Sequence, residues 1–276
     1  MSDVALQPEK IARPPSPSKP WTKTRIIGWA LTALWAVLFI ALIFWLVSAW
    51  NPELFAKYGP KYLTGLWVTV KLVSASLVLG ALLSFPLAMA RLSKNRLIGW
   101  PAYAYVYFFR GTPLLAQTFL IYYGLGEFRG PLESVGLWGF FKEAWNCGLT
   151  AFALNTAAYQ AEILRGAIES VPKGQWEGAN SLGLPKWLTF VRIILPQALI
   201  VALRPYGNEI ILMIKGSAIV AIITVYDLMG ETRRAYARSF DFQTYIYAAL
   251  IYLAMVETLR NIWEWMEKRL TRHLIR

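Results

Sequence analysis

The chain has 276 residues, 57% of them hydrophobic and only 16% charged, with a formal charge of +12. The charges gather between long apolar blocks, which excludes an ordinary soluble domain; so basic a balance suits nucleic acid, but the Lys and Arg fall at the ends of apolar segments, where they set membrane orientation. One cysteine, Cys147, excludes an intrachain disulfide and a Cys-rich metal site and reads as a packing residue; the one histidine, His273, sits in a basic tail, which leaves no His-metal cluster or His-based triad expected.

Residues 1–25 carry Pro8, Pro14, Pro15, Pro17 and Pro20 and read as a disordered cytoplasmic tail. Ile26 to Trp50 then runs without a charge, long enough at about 1.5 Å per residue to cross about 30 Å of hydrocarbon. "VSA" before Trp50 faintly resembles a cleavage site, but the run is too long and its leader too extended for a signal peptide, so this is an uncleaved first span. A second span covers about Leu63 to Ala90, interrupted by Lys71, and the basic loop "RLSKNR" follows. Trp100, Tyr103, Tyr105 and Tyr107 form an interfacial belt that places Leu97 to Phe108 at headgroup depth, with the third span from near Gly111 to near Gly124. Further spans are expected over Ala144 to Ile163, Leu195 to Tyr226 and Phe242 to Trp263, before a basic cytoplasmic tail over 267–276.

Lys19, Lys23 and Arg25, then Arg91, Lys94 and Arg96, then Arg165, Lys173 and Lys186, and finally Lys268, Arg269, Arg272 and Arg276 all fall on one side of a six-span chain. The positive-inside rule makes that side, with both termini, cytoplasmic. Arg233, Arg234 and Arg238 lie in a loop on the other side. Their use there is pairing with an acidic protein partner, or plain solvation and headgroup contact.

Between the fourth and fifth spans sits "EGANSLGLPKWLTFVRIILP". Gln175 to Leu182 suits one short helix, Gly183 a C-terminal stop with positive φ, and Pro185 the start of another. Such an elbow is either an interfacial linker, with Trp187 and Phe190 at the headgroups, or a stiff dock for a soluble partner. The stretch resembles the EAA loop of ABC importer permeases: Glu177, Gly178 and Ala179 open it, Gly183 follows three residues later, and Ile193, Leu195 and Pro196 close it after nine more. Gly178 replaces the usual Ala, which softens the helix by about 1 kcal/mol. "FRGTPLLAQ", "LNTAAYQAEILRGAIESVPKGQ" and "RPYGNEIILMIKGSA" are similar to the polar amino acid permease family, and "NCGLTAFALNT" to its histidine/arginine/ornithine and opine branch.

The resemblance implies an all-α polytopic membrane protein: a five-helix permease core over 62–266, an added N-terminal span over 26–50, and a cytoplasmic coupling loop over 171–196. It implies a bacterial inner-membrane translocation subunit that imports polar, basic L-amino acids or opines. A second permease, similar or identical, would complete the pore, a dimeric ATPase would dock on the loops, and a periplasmic solute-binding protein would deliver the solute. No cofactor is expected in this chain. Its sequence has no Gly-Lys dipeptide and therefore no phosphate loop, so ATP and Mg belong to the partner ATPase.

Ionisable groups inside spans are functional candidates by default. Glu162 pairs with Arg165 at i, i+3 or faces the solute path; Arg110 snorkels, holds a helix end or meets solute. Asn208 and Glu209 lie one turn beyond Pro205, and Lys215 further along the same span; Glu209 is either a partner for another span or a pore-lining group. The rival reading, an ion-coupled secondary transporter with Glu162 and Glu209 as proton carriers, requires inverted repeats that the sequence does not display. An intramembrane enzyme lacks a convergent nucleophile and base.

Overall fold

The computed structural model describes residues 21–48 and 50–272. The expected proline-rich tail over 1–20 and the last four residues of the basic tail lie outside that range. Two compact units divide the chain, Met1–Pro52 and Glu53–Arg276. The first contains one long helix, α1 (Lys23–Ser48), apolar on every face, with Trp29, Trp35 and Phe44 exposed. A helix without a polar face is a lipid-embedded one.

The second unit is helical throughout its described residues. α2 (Pro52–Leu92) is followed by α3 (Arg96–Gly111), then α4 (Leu114–Phe119), which passes through a π-turn (Leu120–Gly124) into α5 (Leu125–Glu127). Short helices α6 (Arg129–Ser134) and α7 (Trp138–Phe141) lead to α8 (Ala144–Ser170). α9 (Lys173–Ser181) and α10 (Lys186–Thr189) form the elbow, and a second π-turn (Phe190–Ile194) joins it to α11 (Leu195–Ser217). A 3-10 turn (Ala218–Ile223), α12 (Leu228–Ser239) and α13 (Gln243–Leu270) complete the unit.

Among the described residues, three stretches are long and apolar enough to cross a membrane: Lys23–Ser48, Pro52–Leu92 and Lys186–Ile223. The other expected spans are helical but more polar or shorter; of these α8 is the one most enclosed by its neighbours. α8 is the axis of the unit. It packs most extensively on α11 and next on α3. It can do so closely because its buried residues include Ala158, Ala161 and Ala167, which share a core with Ala198 and Ala202 of α11. In lipid there is no hydrophobic drive between helices, so close backbone approach through small side chains is what holds them. At Gly80 of α2 the same logic is absolute: a Cβ there would overlap the Thr156 methyl of α8.

Three expectations change in detail. Leu97 to Phe108, read as interfacial, belongs to a regular helix that starts at Arg96 and buries Ala102 and Val106 against the bundle. The chain beyond span five, read as a loop around Arg233, Arg234 and Arg238, is the helix α12. Its N-cap is Asp227, whose carboxylate accepts from the Gly230 amide at 2.8 Å, and its apolar stripe Leu228 and Ala235 is buried. The fifth span, expected over Leu195 to Tyr226, is α-helical to Ser217 and tightens to 3-10 geometry through Ile223.

Candidate functional site

The elbow is built almost entirely from backbone. α9 begins after Pro172 and ends in a Schellman turn: the Gly183 amide donates to the Asn180 carbonyl at 3.0 Å and the Leu184 amide to the Ala179 carbonyl at 3.1 Å. That turn requires φ of +71° at Gly183, a conformation glycine adopts without steric cost. Pro185, at φ −66°, caps α10, and no side chain caps either helix. Pro196 cannot donate to the carbonyl four residues back, so the ladder loosens into the π-turn ahead of it, and the Gln197 amide side chain takes the Ile193 carbonyl at 2.8 Å.

One side of the elbow is anchored. Ala179 and Ile194 are buried, and Trp176, Phe190, Ile193 and Leu195 pack on a core shared with α8 and α11. The other side presents Glu177, Gly178, Leu182 and Trp187, with Leu182 and Trp187 79% and 68% exposed. The elbow is thus fixed on its inner side and exposes two large apolar side chains on its outer side. The helix begins at Lys173, two residues earlier than the expected Gln175, because Pro172 already sets the entry.

The second feature is a charge cluster where α2, α3 and α8 converge. Glu162 accepts from Arg91 at 3.0 Å and from Arg165 at 3.0 Å, and lies 3.7 Å from Arg110. Arg165 also binds Glu169 at 2.6 Å. The expected i, i+3 pair with Arg165 is therefore present, with two further arginines that sequence spacing did not reveal. Arg110 stacks over Tyr159 at 5.3 Å. Arg110 and Glu162 together line two cavities, one of about 460 Å³ toward Tyr103 and Tyr107, the other of about 360 Å³ toward Gly166, Val201 and Pro205.

Deeper in the unit the polar side chains are satisfied in pairs. Thr156 donates to Glu209 at 2.8 Å, and Gln160 donates to Thr156 at 3.1 Å and to the Leu77 carbonyl at 3.2 Å, tying α2, α8 and α11. Glu209 is 5% exposed and turned inward, whereas Asn208 and Lys215 are exposed on the opposite side of α11. The structure thus separates Glu209 from Lys215, which sequence reasoning had grouped. Six residues along a helix rotate a side chain most of the way to the other face.

Sequence reasoning missed the staple at the α3–α4 break. Pro113 cannot donate to the Phe109 carbonyl, and two buried amides take that role: Gln117 at 2.8 Å and Asn155 at 3.1 Å. Gln117 also donates to Thr112, and Asn155 to Gln117 at 2.9 Å. The signal was legible as a proline in an apolar run followed four residues later by glutamine. On α12, Arg233 donates to the Ala221 carbonyl at 3.1 Å, Arg234 lies 3.6 Å from Glu231, and Arg238 is exposed.

Residues 76–272 match the family described as "Binding-protein-dependent transport system inner membrane component". The chain is 43% identical over 217 residues to the nopaline transport system permease protein NocM of Agrobacterium fabrum, covering 77% of this chain and 90% of that protein. It is 35% identical over 213 residues to the arginine ABC transporter permease protein ArtM of Escherichia coli K12, covering 77% of this chain and 96% of that one. A crystal structure of an amino acid ABC transporter with histidines superposes with a TM-score of 0.72 at 35% identity, over 80% of this chain and 99% of its own. The inward-facing MetNI methionine ABC transporter shares the fold alone, with a TM-score of 0.64 at 16% identity.

Proposed function

We propose, from the premise that this chain belongs to the family of binding-protein-dependent transport system inner membrane components, that it forms half of an import pore for polar, basic L-amino acids or opine-like derivatives. It is a permease subunit of an ABC importer, and ATP hydrolysis resides on a separate subunit. The observation that carries the substrate reading is the identity to a nopaline permease across nearly that protein's whole length. No relative favours the ion-coupled alternative.

In this reading the elbow over 171–196 is the EAA coupling loop. Glu177, Gly178 and Ala179 lead into the turn at Gly183, and Ile193, Leu195 and Pro196 return motion to α11. A dimeric ATPase, with its ATP and Mg, seats on Leu182 and Trp187. A second permease completes the pore, and a solute-binding protein meets the α12 end, where exposed Arg238 offers a charge. The solute passes the cavities shared by Arg110 and Glu162, with Asn208, Glu209 and Lys215 as further candidates along α11.

Six crossings place both termini in the cytoplasm of a bacterial inner membrane. The third combines α3 with the 114–127 stretch, since neither alone, at about 24 and 21 Å, covers about 30 Å of hydrocarbon. A reporter fused after Arg276 should be active only in its cytoplasmic form, and one fused near Phe55 only in its periplasmic form. An external C-terminus would refute the count.

The substrate class is tested by competition in the reconstituted complex. Arginine, ornithine, histidine or nopaline should displace labelled basic solute at least about tenfold better than glutamate does, a difference of about 1.4 kcal/mol. Glutamate as the best competitor would overturn the reading.

A further inference from the structure

Between the end of α2 and the start of α3 lies a cavity of about 470 Å³ that the elbow, the charge cluster and the buried polar pairs do not use. Its first wall is Leu83, Pro86, Leu87 and Ala90 of α2, at the i, i+3, i+4, i+7 spacing of a single helix face. Ile98, Pro101 and Ala102 begin the same spacing on α3, and Tyr105 completes it. Tyr105 contributes no polarity to the groove, because its hydroxyl donates to the Leu154 carbonyl of α8 at 2.7 Å. Two apolar stripes therefore face each other across a space that no side chain fills.

The turn that closes this V is cationic. Lys94 and Arg96 are exposed and have no acidic partner among the described residues, and the first turn of α3 holds no acidic residue. Arg91 is committed elsewhere, to Glu162 and to the Tyr103 ring. Trp100 lies one turn further along, 71% exposed, where an amphipathic ring marks the water–hydrocarbon boundary. An apolar slot that opens beside a pair of exposed cations is complementary to one class of molecule.

We infer that this groove holds one acyl chain of an anionic phospholipid, whose phosphate is bound by Lys94 and Arg96. The apolar walls alone would accept any lipid; the two unpaired cations select the anionic one. The inference rests on the proposed topology for its leaflet alone: an inverted chain would take the lipid from the opposite leaflet at the same residues.

The test uses the assembled complex in nanodiscs containing a phosphatidylglycerol or a phosphatidylcholine with a photoreactive group on one acyl chain. Irradiation and peptide mapping should place the phosphatidylglycerol label within residues 83–105 at about thirty times the phosphatidylcholine yield, the size expected of two cations near a surface. Lys94→Gln with Arg96→Gln, both on the surface, should equalise the two yields without lowering the phosphatidylcholine label. Ala90→Phe, which fills the groove, should lower both. Equal labelling of the wild type by the two lipids would overturn the anionic selection. Labelling outside 83–105, or a cross-link from Ile98→Cys to a second subunit, would overturn the site.

Discussion

Replacing Gly183 with valine should leave the subunit in the membrane and cut ATP-driven uptake at least about tenfold, while ATP hydrolysis by the complex continues. The reason is local. Gly183 sits at φ +71°, where an L-residue pays about 1–2 kcal/mol and a β-branched one more. A valine therefore opens the Schellman turn, and the amides of residues 183 and 184 release the Asn180 and Ala179 carbonyls. α9 and α10 then lose their fixed angle, although Trp176 and Ile194 still anchor the base in the bundle. The space around Gly178 supplies the control. A Cβ there meets nothing within 4 Å, so Gly178→Ala should stiffen α9 by about 1 kcal/mol and keep uptake coupled. Uptake and phosphate release measured together in proteoliposomes distinguish the outcomes. Normal uptake by the valine variant would mean that the elbow is not the dock.

The second large effect is expected at Glu162. Three guanidinium groups converge on this carboxylate, whose side chain is only 13% exposed. Removing one partner of a buried pair costs about 3–5 kcal/mol, chiefly because the remaining charge stays buried. Arg91 and Arg165 are 19% and 26% exposed and Arg110 44%, so partial hydration reduces the expected loss for Glu162→Leu to about 2–3 kcal/mol. The purified complex should melt several degrees lower and assemble poorly. Combining the change with Arg91→Met should recover part of the loss by removing one stranded cation. A Glu162→Leu complex that melts at the wild-type temperature but fails in uptake would instead assign Glu162 to the solute path.

How much of this was legible follows the physics of each signal. The elbow was readable to within two residues because its determinants are local: a glycine at positive φ and two prolines act through their own backbone. α1 was equally plain, since a helix facing lipid must be apolar throughout; α2 was legible from Leu63 onward, but its charged opening with Glu53, Lys57 and Lys61 did not read as part of the same helix. The bundle interior was not readable in the same way. A helix buried among other helices carries Asn155, Thr156 and Gln160 without penalty when each has a partner, and those partners lie 38 to 83 residues away in sequence. Sequence spacing paired Glu162 with Arg165, but Arg91 lies 71 residues from Glu162, and only the fold brings it there. α12 was missed because its three arginines hide a clear start, Asp227 followed by Gly230 and Glu231.

The absence of side-chain caps on α9 and α10 separates two properties that proteins usually entangle. The elbow's shape is written in main-chain bonds and in a few inward residues, Ala179 and Ile194 among them. The side chains of its outward residues, Glu177, Leu182 and Trp187, contribute to no cap and to none of the inner packing. Under the docking proposed above, those outward positions are free to vary with the motor subunit they would meet, at no cost to the angle between α9 and α10. Transplanting only that outer face from a relative onto this frame should exchange one motor for another, much as a socket accepts a different plug without rewiring the wall.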